Sequence, residues 1–171
     1  MNYKNLALGS GKLGFNFASN IANTKIDGQI ATPAILKANG YDIFNRKEQG
    51  RILSARPNTK VLLGVNYDFK RTSFILNNTY FGEVTWQHAT DVAKDQTFAG
   101  KFITDLGVSY KFSKVISGNV MVNNLFNIYP DKLDPKGDIV TDLGGRFKYA
   151  WEVNQFGFSG TIFTAGMNFK F

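Results

Sequence analysis

The sequence predicts an all-β fold, an antiparallel up-and-down sheet of about six strands, with no amphipathic stretch of helical period long enough to compete. Three observations lead there. Apolar and polar residues alternate strictly over strand-length stretches. Short and long connections alternate between those stretches. One six-residue pattern recurs in three of them.

Taken in order, the first strand is expected over 12–23, with Leu13, Phe15, Phe17 and Ile21 on one face. The second, 59–69, sets Val61, Leu63, Val65, Tyr67 and Phe69 against Lys60, Leu62, Gly64, Asn66 and Asp68. The third, 72–86, carries Phe74, Leu76, Tyr80, Val84 and Trp86. In the fourth, 101–112, Phe102, Thr104, Leu106, Val108, Tyr110 and Phe112 share one side, opposite Lys101, Ile103, Asp105, Gly107, Ser109 and Lys111. The fifth, 115–127, has Gly118, Val120, Val122 and Phe126. The last, 160–171, alternates Phe163, Ala165, Met167, Phe169 and Phe171 with Ile162, Thr164, Gly166, Asn168 and Lys170. Successive side chains of a strand point to opposite faces, so each segment reads as a ribbon with one apolar and one largely polar side.

Composition bounds the rest. With 171 residues, 43% apolar and 15% aromatic, the chain belongs to one folded domain or part of one. The absence of Cys excludes disulfide scaffolds, thiolate metal sites and Cys nucleophiles, and a single His, His88, argues against a zinc site or a His-based triad. No apolar run approaches the roughly 18 residues of a membrane-spanning helix. The residues after Met1 are too short and polar for a signal peptide.

Tight turns are expected near Lys70-Arg71 and Ser113-Lys114, and longer gaps over about 24–57, 88–99 and 128–158. A meander with every second connection short gathers its tight turns at one end, the pattern of outer-membrane barrels with short periplasmic turns and long external loops. The repeat is Gly, apolar, small polar, aromatic, charged, Phe: 64–69, 107–112 and 166–171. It falls on alternate strands that run the same way. Tyr67, Phe69, Tyr110 and Phe112 are therefore expected in an aromatic girdle at a membrane–water boundary. A small soluble barrel fills its interior with bulky side chains. Here the Phe, Tyr and Leu faces suit lipid, and the Gly, Asn, Ser and Lys faces suit a wet lumen.

A C-terminal strand alternating Phe163, Met167, Phe169 and Phe171 is similar to the assembly signal of bacterial outer-membrane proteins. Asn124-Leu125-Phe126-Asn127 resembles an element near the C-terminus of TonB-dependent receptors, and the Asn154-Gln155-Phe156-Gly157-Phe158 stretch resembles Bacteroidota versions of that family. The likeness is specific from about Gly100 to Phe171. It implies that residues 1–171 are the C-terminal part of a 22-stranded receptor barrel, without the plug domain, the TonB box and the earlier strands. Met1 is then a cut or miscalled start, or an internal Met. An open six-stranded sheet is an incomplete barrel, since only closed barrels satisfy their backbone in lipid. The implied setting is the bacterial outer membrane. The implied partners are outer-membrane lipid, the remainder of the barrel and plug, the TonB energy-transducing complex through that plug, and the barrel assembly machinery.

Other motifs have simpler readings. Gly9-Ser10-Gly11-Lys12-Leu13-Gly14 matches a dinucleotide fingerprint in letters, but a strand rather than a helix follows it, so it reads as a turn. The carboxylates Asp131, Asp134, Asp138 and Asp142 lack calcium-loop spacing. The net charge of +7 is scattered over strand ends and turns, which argues against nucleic acid. No nucleophile, base and orienter gather, so neither catalysis nor a cofactor is expected. Ligand contacts are sought in the external loops, at Tyr41, Phe44, His88 and Trp151. The function expected is import of a scarce nutrient. The alternatives are a small or oligomeric porin or adhesin and a soluble β-sandwich binding module.

Overall fold

The computed structural model describes residues 2–143 and 145–171, with side chains described outside 2–5, 141 and 142. In chain order the elements are β1 (Asn2–Leu8), β2 (Gly11–Ile21), α1 (Ala34–Ala38), α2 (Arg46–Leu53), β3 (Thr59–Phe69), β4 (Thr72–Phe81), β5 (Val84–Trp86), β6 (Gln96–Phe98), β7 (Lys101–Lys111), β8 (Ile116–Asn123), α3 (Asp138–Asp142) and β9 (Ile162–Phe169). Two 3-10 turns, Val92–Lys94 and Trp151–Phe156, punctuate the connections. Seven strands form one antiparallel sheet in the order β1-β2-β3-β4-β7-β8-β9, and β5 and β6 pair separately. The large sheet is open, with β1 and β9 as its edges.

The all-β expectation stands, with four corrections. A seventh strand, β1, precedes the Gly9-Ser10 turn, where alternation is too irregular to show; the reason is a register shift between Tyr3 and Leu6. The strand expected over 72–86 ends at Phe81, and the chain leaves the sheet at Gly82-Glu83 so that Val84 and Trp86 turn inward into β5. The strand expected to 127 stops at Asn123, because Asn124 and Asn127 take left-handed backbone (φ 52° and 55°). The long connections also hold short helices; α2 starts because the Asn45 side chain accepts from the Lys47 and Glu48 amides. Strand β3 matches 59–69, β2 and β7 differ from 12–23 and 101–112 by one or two residues, and β9 is two residues shorter at each end than 160–171.

Alternation holds in register across the sheet. One row runs Tyr67, Phe74, Val108, Val120, Ala165. Another joins Phe17, Leu63, Asn78 and Thr104. All these residues share one face, and apart from buried Thr104 it is largely uncovered: Leu63 is 55% exposed, Phe102 60% and Phe163 74%. Its polar pair Asn78–Thr104 is satisfied internally by a 3.0 Å hydrogen bond. The opposite face carries Asn16, Gly64, Asn66, Asn77, Asp105, Ser109 and Asn119, with Leu62, Ile75, Ile103 and Met121 interspersed.

Aromatic rings stand over glycines on this sheet: Phe112 covers Gly118 and the Tyr80 ring covers Gly100. A ring laid over bare backbone recovers packing that a missing side chain forfeits. At Gly100, just before β7, an added Cβ would lie 2.6 Å from the Tyr80 hydroxyl and 2.7 Å from the Phe81 carbonyl oxygen.

The buried apolar core lies elsewhere. Among the described residues Val84, Trp86, Phe98, Leu133, Ile139, Ala150, Val153 and Phe156 form it, and none belongs to the large sheet. They come from the β4–β7 and β8–β9 connections, at the end away from the hairpin turns. The chain is thus a wall with a bare apolar side and a separately packed layer of loops. Substituting Gly100→Val is expected to cost about 1–3 kcal/mol through overpacking against a carbonyl that cannot retreat. Chemical unfolding checks this, with unchanged stability as the contrary result.

Candidate functional site

The loop layer is held by charge as well as by its core. From α2, Arg46 grips Asp95 through both terminal nitrogens, at 2.7 and 2.5 Å, and its Nη1 also donates to the His88 carbonyl. Asp95 accepts the His88 amide in turn. The His88 ring spans two segments: Nδ1 accepts from the Thr90 and Asp91 amides, and Nε2 lies 3.3 Å from the Asp138 carboxylate of α3. Lys94 meets that carboxylate at 2.8 Å. Asp131 binds Lys101 at 2.6 Å and the Ala99 amide at 2.7 Å.

These contacts shift titrations. Arg46 hydrogen-bonded to Asp95 holds that carboxyl below its usual range, against the opposing effect of burial, with the His88 amide assisting. Lys94 does the same for Asp138. At Asp131 burial pushes the other way, but Lys101 and the Ala99 amide together keep the carboxyl low. Asp95 and Asp138 raise Arg46 and Lys94 respectively through their hydrogen bonds.

Asn124-Leu125-Phe126-Asn127 is a fastener at the top of the last hairpin. The Asn124 side chain, buried, donates to the Ile128 carbonyl at 2.7 Å and accepts the Ile128 amide at 2.8 Å. Its own amide donates to Asp105, and its carbonyl accepts the Thr161 hydroxyl at 2.8 Å. Asn127 accepts the Thr161 amide, 3.2 Å away. Asn is well suited here, since a left-handed backbone costs it little and its amide offers donor and acceptor together. Leu125 is half-buried and Phe126 is exposed.

A cleft of about 370 Å³ opens between α2, the residues after it and the 3-10 turn Trp151–Phe156. Arg51, Arg56 and Asn154 supply its polar atoms, and Trp151, 70% exposed, forms an indole wall beside Leu143. Glu152 closes the same cleft. Its Oε2 and both polar atoms of the Gln155 amide are enclosed without a hydrogen-bonding partner, the unsatisfied buried side-chain atoms among the described residues.

Of the sequence-predicted contacts, Trp151 lines this cleft, whereas His88 lies elsewhere in the loop layer as a strut between Asp138 and its own loop. Tyr41 is exposed, and Phe44 is half-buried with its carbonyl accepting from Gln49. The structure does not bring the four together. Tyr67 and Phe69 stack with centroids 6.3 Å apart, and Tyr110 and Phe112 meet edge to face at 5.1 Å, near the hairpin end. Phe163, Met167, Phe169 and Phe171 are all exposed along the β9 edge. No group of three or more His, Asp or Glu suited to a metal occurs among the described residues. The guanidinium groups Arg46, Arg51 and Arg56 were not legible as functional, since nothing in their spacing marks which would be paired.

Comparison with protein-family models, with curated proteins and with solved structures finds no match.

Two outcomes follow. Asn124→Ala removes a buried amide bonded twice to one residue, and is expected to cost about 1–3 kcal/mol in unfolding stability. Because the folded-state pKa values of Asp95, Asp131 and Asp138 are lowered, their stabilisation is complete above the unfolded carboxyl value of about 4 and fades as pH falls through the lowered values. Amide exchange in 88–98, corrected for intrinsic rate, should therefore quicken below about pH 4 while that of 61–67 changes less. Equal responses would contradict the loop assignment.

Proposed function

We propose that this chain is the C-terminal wall and external loop layer of a TonB-dependent outer-membrane receptor that imports a scarce nutrient. The observation that carries the reading is the uncovered apolar face, in register across the six strands from β2 to β9 of the large sheet, while the buried core sits in the loops. In water such a face would be the largest liability of the fold; against acyl chains it is the stabilising surface. It weighs against a soluble sandwich, where Phe and Tyr would be enclosed between two layers.

Register supplies a second support. Through β4, Tyr110 lies in the row of Phe69, two residues beyond its repeat counterpart Tyr67. Through β8, Tyr110 lies in the row of Met167, two residues before its counterpart Phe169. The repeat thus slides two residues for every two strands, always in the same sense. At about 3.3 Å per residue and 4.8 Å per strand, bringing the repeats to one height needs a tilt of about 35°, the lower end of the range for membrane barrels. With that tilt the apolar span from Phe102 to Phe112 stands roughly 27 Å tall, close to the roughly 25 Å band of outer-membrane barrels. The edges β1 and β9 would be paired by further strands, as lipid requires. The importer identity rests on the resemblance of Asn124–Asn127 and the closing strand.

The orientation is testable by contrast. Leu106→Arg, in mid-band on the apolar face, is expected to destabilise the protein in lipid vesicles by about 2–4 kcal/mol, and Ser109→Arg on the polar face by far less. The reverse order, or recovery of the folded protein in the aqueous fraction, defeats the reading. Deleting Phe171 should lower the amount reaching the outer membrane; an unchanged amount would remove the assembly role.

A further inference from the structure

We infer that the cleft beside Trp151 binds a zwitterion, a free amino acid or short peptide bearing both a carboxylate and an ammonium group. The inference deepens the receptor reading and rests on it for the outward aspect of the loops. Three features of the cleft point the same way. First, it holds unsatisfied positive charge: Arg56 has no ion-pair or hydrogen-bond partner among the described residues, and Glu48 engages only Nη1 of Arg51, at 2.7 and 2.9 Å. Second, the same wall holds unsatisfied negative charge. Glu152 lines the cleft half-buried and makes no hydrogen bond or ion pair among the described residues, so its carboxylate offers an acceptor to a ligand's ammonium. Third, Trp151 presents its indole to the space, and rigid neighbours set it there: Ala150 before it and Val153 after it are fully buried. The 3-10 turn cannot retract this ring without disturbing the loop core.

A polyanion would satisfy the guanidiniums and be repelled by Glu152. A cation would do the reverse. A ligand with one charge of each sign forms charge-assisted hydrogen bonds at both ends, the stronger kind, and its side chain lies on the indole. About 370 Å³ accommodates two or three small residues.

The probe is the tripeptide Gly-Phe-Gly with free termini, compared with its N-acetyl and C-amide forms, titrated into the whole chain in detergent while tryptophan emission is followed. The free peptide should shift the emission of exposed Trp151 and leave buried Trp86 (4% exposed) as an internal reference. Each blocked terminus should weaken binding about tenfold or more. Arg56→Gln should abolish the preference for a free carboxylate alone, and Glu152→Gln the preference for a free ammonium alone. Trp151→Phe, which keeps the wall, should remove the optical signal while retaining binding by calorimetry. Equal binding of all three peptides, or of none, overturns the inference. If none binds but the protein still extracts with the outer membrane, the receptor reading survives. Selective peptide binding by protein recovered in the aqueous fraction overturns the receptor reading and keeps the cleft.

Discussion

The period of a β-strand is two, and the six strands from β2 to β9 of the large sheet, locked to that period, leave no latitude. A slip of one residue anywhere would carry a whole strand's rings to the polar side and its asparagines to the apolar side. Each pair is therefore pinned. Tight turns fix β1–β2, β3–β4 and β7–β8, and the Tyr67 hydroxyl donates to the Leu8 carbonyl at 3.3 Å across the intervening β2. At the far end Asn124 and Asn127 tie the exit of β8 to Thr161, just before β9 begins. The last hairpin pair has no short turn of its own at that end, so side-chain hydrogen bonds do what a turn does elsewhere.

The loop layer is organised on the opposite plan. Its residues come from segments distant in sequence, and apolar burial holds them first: Phe98, Ile139, Val84 and Val153 are almost entirely enclosed. Ion pairs then fix the orientation of the parts. Arg46–Asp95 ties α2 to the β4–β7 connection, and Asp138 ties that connection to α3 through Lys94 and His88. The two plans meet where Phe81, at the end of β4, packs edge-on against Phe156 at 5.6 Å.

Much of the wall was legible because alternation is a local signal. Thr59–Phe69 was found to the residue, and β7 within one, since nearly every position obeys the pattern, Leu62, Ile103 and Thr104 being the exceptions. Errors arose where long-range contacts overrule it. Val84 and Trp86 continue the alternation of 72–86, yet Gly82 lets the chain turn, and the loop core claims both side chains. Phe126 likewise fits the pattern of a strand that has already ended at Asn123, because the left-handed Asn124 diverts it. In the site, exposed Trp151 was a fair candidate from its loop position, but its companions were not. Arg51 and Arg56 lie about a hundred residues away, and only the folding of α2 against the 3-10 turn sets them beside it.

None of the loop core's fully buried side chains is shared with the wall. Drift in one can therefore proceed with little compensation in the other. A lineage of such molecules could remodel its loops while its scaffold stayed constant, in the way a tool keeps its handle and changes its bit.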